Sequence, residues 1–522
     1  MLVRNQFDEI VVARLFDFWA DHIPWERALW TNGTLGRLEE LLESSKADIP
    51  PAALAALRAQ VEQFIGADQG LGGPAHRALV MARVRGDLDP AGVGWHGLSQ
   101  LLPTLRADYL ARWAQATTVQ PQPAAERVAR YTAAHLLDCG YSPTHLYRWL
   151  DGRVRHDATP YSLVDLLQAA DQQMAAKAPT EFAVLVPVES APRIPQPAPA
   201  TWRGPADTTA RIQQWGGDTS NLRQNGSFTI DVIATDRYAA AAAALSVIDR
   251  WNARVELATS RSLRTCGRVW IEAEAEAIDV RPRRRGVDIP ELIGESKLYV
   301  EPSNEAWARR IDDAFQLVQP MESGPRAAGI AGGWAGIESL LTVAGEGEHV
   351  ATARMAAIVA GSFPRAELTR LAWLHETAAS DALASSLAGK SNLERSELVA
   401  MHLTSGGRLS VSDDQDVASE LRMLAVLAAP QAVLKRVQSY VDGTLSRLYR
   451  HRNLIMHAGL VSGDGRQSVL RSAAPLVGAG FDRIAHAWFV EKTNPIQLAA
   501  RAENNIALLG TTSATVTRVL EA

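Results

Sequence analysis

The stretch Leu448–Gly459 reads LYRHRNLIMHAG and ends a run of helical pattern that begins at Pro430. It gathers a guanidinium, a carboxamide and an imidazole, those of Arg452, Asn453 and His457, within a few residues. Three apolar neighbours, Leu454, Ile455 and Met456, are expected to seat the segment in a core. On an ideal helix Asn453 and His457 are four apart and share a face, whereas Arg452 lies roughly 140° round the cylinder from His457. Arg452 must therefore reach across, or the helix must distort at this point.

These groups suit cleavage of RNA without a metal. A histidine moves a proton at the 2′-hydroxyl or the leaving oxygen, while arginine stabilises the charge building on the phosphate. DNA lacks that hydroxyl, so the chemistry selects RNA. One histidine cannot be base and acid at the same instant, and a homodimer with a composite site is the simple solution. The bare spacing is weakly specific, since about one Arg-x4-His is expected by chance in this composition. The chain holds three, at Arg130–His135 (RYTAAH), Arg370–His375 (RLAWLH) and Arg452–His457 (RNLIMH), and only the third has a polar residue after the arginine.

Upstream of the motif, apolar periodicity predicts helices at 304–318, 333–344, 348–359, 365–378, 394–404, 413–428 and 430–457, enough for an all-α bundle over 304–522. The loop 459–465 is expected to end the motif helix. Residues 1–178 also read as helical throughout, with apolar residues three and four apart in Val11-Leu15-Phe18-Trp19, Leu35-Leu38-Leu41-Leu42 and Leu98-Leu101-Leu102-Leu105. Between them, 179–303 changes period. Glu181–Val188 is β-branched, Ser227–Ala234 reads as a strand, Arg237–Trp251 as a helix, and Arg268–Ile278 alternates apolar with acidic as a half-exposed strand does. Prolines near 190–206 predict a stiff linker. The expected architecture is a multidomain α protein with a central α/β module, an N-terminal helical domain in a sensing or regulatory role, and a C-terminal helical bundle.

RNLIMH at Arg452–His457 resembles the R-polar-x3-H signature of HEPN-domain ribonucleases, placed near the end of a long helix and followed by the small residues Ala458 and Gly459. Upstream, Trp334–Leu341 (WAGIESLL) is similar to the W-x-A-L-E-x-L-L helix of the abortive-infection, Apea-like branch of that superfamily. Gly336-Ile337 replaces the usual Ala-Leu pair. The resemblance covers about 220 residues; the first 300 carry no match. It implies an all-α fold, dimerisation through the motif helices, metal-independent endoribonuclease activity, and a toxin-like or abortive-infection role in antiviral defence. Glu338 is a weaker supporting candidate, for orienting Arg452. His451 is expected at the surface.

Composition bounds the rest. The 522-residue chain has only two cysteines and a net charge of −5, so there is no disulfide framework, no cysteine zinc site and no global basic field. Only six of the 53 basic residues are lysine, a skew expected from genome composition rather than from function. The charged N-terminus, Met1–Trp25, lacks the apolar core of a secretory signal, and no apolar run reaches the ~20 residues of a membrane span. A cytoplasmic protein without membrane contact is expected. No cofactor and no metal are expected: His375-Glu376 lacks the second histidine of a metalloprotease helix, and Ser412–Asp416 reads as a helix cap rather than a calcium loop. The expected partners are the RNA substrate, a second copy of the chain, and an inhibitor or phage-derived activator.

Two other readings compete. A non-catalytic RNA- or nucleotide-binding scaffold would keep the fold and lose the chemistry. A DNA-binding regulator would rest on Ala133–Leu150 (AAHLLDCGYSPTHLYRWL), which has helix-turn-helix features with Arg148, Arg153 and Arg155 nearby. Trp334, Trp373 and Trp488 are expected as core anchors rather than base-stacking platforms. Asp231 and Glu272, on predicted strands, are the remaining pocket candidates.

Overall fold

The computed structural model describes all residues except 1–4, 30–31, 47–50, 157–161, 176, 282–283, 458–464, 512–514 and 522, and describes the backbone alone at 52, 156, 348 and 465–467. The described residues are mostly helical, with one small antiparallel sheet. The chain divides into two compact units. The smaller holds Leu136–Thr159 and Gln168–Arg283; the larger holds Leu2–His135, Pro160–Leu167 and Arg284–Ala522.

In the smaller unit the sheet is built from β1 (Thr180–Ser190), β2 (Trp202–Arg203), β3 (Ser227–Ala234), β4 (Arg264–Thr265), β5 (Arg268–Ile271) and β6 (Ile278–Asp279). Its order is β2-β3-β1-β5-β6, with β4 also on β1, and every pairing is antiparallel. The pairing of β1 with β3 runs from Thr180 opposite Ala234 to Pro187 opposite Ser227. Alternation on β1 divides the packing: Val184, Val186 and Val188 meet Ala240, Ala241, Ala244 and Ile248 of the helix Arg237–Thr259, while Leu185 turns to Ile212 and Trp270. The small alanines let that helix approach the sheet closely. The single strand expected over 268–278 is instead two short ones, because Glu272–Ala277 turns away from the ladder and carries Ala273 at φ 62°. Asp231 and Glu272 are exposed.

The larger unit brings helices from both ends of the chain together. The separate domains expected over 1–178 and 304–522 do not match this grouping, for a physical reason. Arg27 ion-pairs with Glu367 at 3.2 Å and Asp416 at 2.6 Å, Asp17 accepts from Gln415 at 2.8 Å, and the Phe18 carbonyl accepts from Arg471 at 2.7 Å. Buried charges are tolerated only when paired, so these contacts tie the two segments into one body.

The helix Glu348–Ala378 runs unbroken through Pro364, where two helices were expected. An interior proline costs about 3 kcal/mol. Met355, Ile358, Phe363, Leu368 and Leu371 are all buried along the same helix, each contributing roughly 1.5–3 kcal/mol, and burial wins. Two further helices, Gly465–Glu491 and Pro495–Leu508, complete the bundle. The first carries Gly478 where a side chain would meet the Asp288 backbone nitrogen at 2.7 Å, so glycine is what lets that segment lie on the helix. Among the described residues no single helix is long and apolar enough to cross a membrane.

Candidate functional site

The motif lies at the end of the helix Pro430–Met456. Pro430 opens it at a position where a missing N–H costs nothing, and a sharp bend of 118° separates it from the preceding helix Asp414–Ala428. Leu434, Val437, Val441, Leu445 and Leu448 form its buried stripe. Tyr449 packs against Trp334 of the helix Arg326–Leu341 with ring centroids 4.7 Å apart, which anchors the WAGIESLL segment just before Arg452. Gly336 has a local reason: an added Cβ would meet Val318 at 2.5 Å and Phe481 at 3.2 Å.

His457 is the C-cap residue, and its N–H donates to the Asn453 carbonyl at 2.9 Å, so the backbone stays helical to the end of the motif. Its side chain is exposed. Arg452 is half-buried and donates through Nη1 to Asn453 Oδ1 at 2.9 Å. Asn453 is buried, and its Nδ2 has no hydrogen-bond partner among the described residues. The carboxamide thus fixes the guanidinium beside it and keeps a donor in reserve. Ala458 and Gly459, and the loop 459–464, lie outside the described residues.

Burial separates the three Arg-x4-His segments. His135 is 2% exposed and stacks on Tyr109 at 4.1 Å; burial first, then Arg106 and Arg112, pushes its imidazole down to about 3, so it stays neutral. His375 is fully buried, with Nδ1 accepting from the Ser410 N–H at 2.9 Å and Nε2 3.1 Å from Asp381. Both are satisfied interior histidines. Of the three, only His457 can be reached from solvent.

The inner stretch of the motif helix is a buried basic cluster that sequence reading missed. Glu40, on the helix Thr34–Ser44, accepts from Arg447 Nε and Arg450 Nε at 3.0 Å each and from Asn32 Nδ2 at 3.1 Å. Burial alone would raise the Glu40 carboxyl, but Arg450, Arg447 and His451 hold it well below the usual carboxylate range. His451, expected at the surface, is 8% exposed and sits in this cluster. Nothing in the sequence pairs residue 40 with 447 and 450; the only signal is two arginines three apart on the apolar side of a helix.

Two other expectations need correction. Met456 is 58% exposed rather than seated in a core, because it lies on the last turn, past the buried stripe. Glu338 is half-buried and forms no hydrogen bond or ion pair with Arg452; its carbonyl accepts from the Thr342 N–H at 3.2 Å.

In the smaller unit Gly140 makes the expected turn at φ 92°, and Ser142 caps the helix Pro143–Asp151 by accepting from the His145 N–H at 3.1 Å. The arginines that a DNA-binding reading needs are engaged. Arg148 lies 3.7 Å from Glu276 and over the Tyr238 ring, Arg153 donates to Gln173, and Arg155 pairs with Asp151. Ser412–Asp416 is a helix cap, with Asp413 accepting from the Gln415 N–H at 2.9 Å. Among the described residues no group of three or more His, Cys, Asp or Glu side chains is placed to hold a metal ion.

No family model, no curated protein and no solved structure matches the chain.

Proposed function

We propose that the chain is a metal-independent endoribonuclease of HEPN type, cutting RNA with Arg452, Asn453 and His457. The observation that carries the reading is the exposure of the His457 imidazole at the end of a helix whose Arg452 is hydrogen-bonded to Asn453, while the other two Arg-x4-His histidines are sealed in the interior. In this mechanism one imidazole takes the proton of the 2′-hydroxyl, whose oxygen attacks the adjacent phosphorus. The bond to the 5′-oxygen breaks, a second imidazole protonates that oxygen, and Arg452 stabilises the charge on the phosphate. The products are a 2′,3′-cyclic phosphate and a 5′-hydroxyl.

The second imidazole comes from a second copy of the chain across the motif helices, and the exposed Met456 gives that contact an apolar patch. The setting is cytoplasmic, as a toxin-type or abortive-infection effector in antiviral defence, held in check by an inhibitor or triggered by a phage-derived activator. Expression of the wild type in cells should arrest growth, whereas Arg452→Ala and His457→Ala at equal protein levels should not. Equal arrest by all three proteins would instead favour a non-catalytic RNA-binding scaffold.

A further inference from the structure

The helix Glu348–Ala378 carries an open groove of about 460 Å³ lined by Ala366, Thr369, Arg370, Trp373, Leu374 and Thr377. Their spacing places them on one helix face. The volume falls within the range of small-molecule sites, roughly 300–1,000 Å³. It shares no residue with the motif.

Trp373 is the unusual member. It is 51% exposed, whereas Trp334 and Trp488 are buried as expected for core anchors. One face of its indole is covered by the Arg395 guanidinium, 3.7 Å from the ring centroid. Arg395 is itself fixed: it is 3% exposed, ion-paired with Glu376, and donates through Nε to the Lys390 carbonyl at 2.9 Å. The indole is therefore a rigid plate backed by an immobilised cation. In the same groove Arg370 forms no ion pair with any described carboxylate, although its charge acts on the buried Glu26 carboxyl, and among the described residues its Nε is buried without a hydrogen-bond partner.

We propose that this groove binds one nucleotide of a single-stranded RNA, its base stacked on Trp373 and its phosphate on Arg370. A plate that already stacks a guanidinium suits a flat π-system, and a guanidinium one helical turn away that forms no ion pair with a described carboxylate suits an anion; a nucleotide joins both in one ligand. Stacking on an indole is sequence-tolerant, so the groove serves as a general tether for the strand rather than a reader of its bases. The choice of RNA over another nucleotide-bearing strand rests on the nuclease reading above.

The test uses the full-length protein and a fluorescein-labelled 12-mer of 2′-O-methyl uridine, which no attack by a 2′-hydroxyl can cut, followed by anisotropy across a salt series. Trp373→Ala should weaken binding by at least about fivefold and Trp373→Phe by much less, because the π-face is kept. Arg370→Gln should weaken binding and reduce the salt slope by about one. Thermal denaturation of each variant establishes that it is folded. Absence of binding to the wild type, or binding by Trp373→Ala and Arg370→Gln as tight as that of the wild type, overturns the proposal. Cleavage of ordinary RNA at an unchanged rate by His457→Ala would sink the nuclease reading while leaving this binding result intact.

Discussion

Arg450 and Arg452 stand two residues apart on one helix and occupy opposite environments. Arg450 is 3% exposed and tied to Glu40 at 3.0 Å, together with Arg447 and next to His451. Arg452 is half-buried and, among the described residues, hydrogen-bonded to its neighbour Asn453, on a helix that ends at the exposed Met456 and His457. The inner group is buried and ion-paired, whereas the outer group lies past the buried stripe and is open to solvent. The same basic residue types are thus sorted by environment into a buried scaffold and an exposed terminus, and the terminus is where the proposed cleavage would take place.

The largest effect that would break this contrast falls on the scaffold side. Glu40→Ala leaves two buried guanidiniums without their carboxylate, and breaking such a pair costs about 3–5 kcal/mol. Urea denaturation should show a loss of that size, and a loss below about 1 kcal/mol would mean that the cluster is not stabilising.

A second buried carboxyl sharpens the comparison. Glu26 is 6% exposed and, among the described residues, has no cation within ion-pair distance; burial followed by the charge of Glu367 pushes it up to about 7, against the more distant charges of Arg370 and Arg27. The native state therefore holds a proton that the unfolded chain has released. This stabilisation is complete below about pH 4.5 and is lost as pH rises through about 7. Relative to Glu26→Gln, the wild type should lose on the order of 3 kcal/mol between those limits, read as the difference in urea midpoint. Glu40, held low by its arginines, has the opposite sign: its contribution is lost only as pH falls into the acid range.

The smallest effect belongs to the outer group. Arg452→Lys and Met456→Ser should shift unfolding free energy by no more than about 0.5 kcal/mol, as substitutions away from a packed core do. A loss of several kcal/mol from either would place the terminus in the scaffold and remove the distinction.

What could be read from sequence follows from how local the signal is. Glu181–Val188 and Ser227–Ala234 are both strands, because a short β-branched apolar run is a local signal that depends only on neighbours. The motif helix is equally local and was legible, whereas the one helix Glu348–Ala378 read as two because Pro364 signals a break. Gly465–Glu491 was not, since Pro475, Gly478 and Gly480 dilute its periodicity for packing reasons that lie in other segments. The groupings that matter most are non-local. Glu40 meets Arg447 and Arg450 from the far end of the chain, and Trp373 was expected in the core because a tryptophan on an apolar helix usually belongs there. The identities of Arg452, Asn453 and His457 were legible; the exposure that separates His457 from His135 and His375 was not, because it depends on what covers each helix end.

The most direct measurement is single-turnover cleavage of a 5′-labelled RNA by the purified protein in chelator, alongside the same strand with a deoxyribose at the cut position. The account predicts a 2′,3′-cyclic phosphate and a 5′-hydroxyl from the RNA, no cut at the deoxy position, and a rate about 10²–10⁴ lower for folded His457→Ala. Cleavage at the wild-type rate by His457→Ala, or at the deoxy position by the wild type, would contradict it.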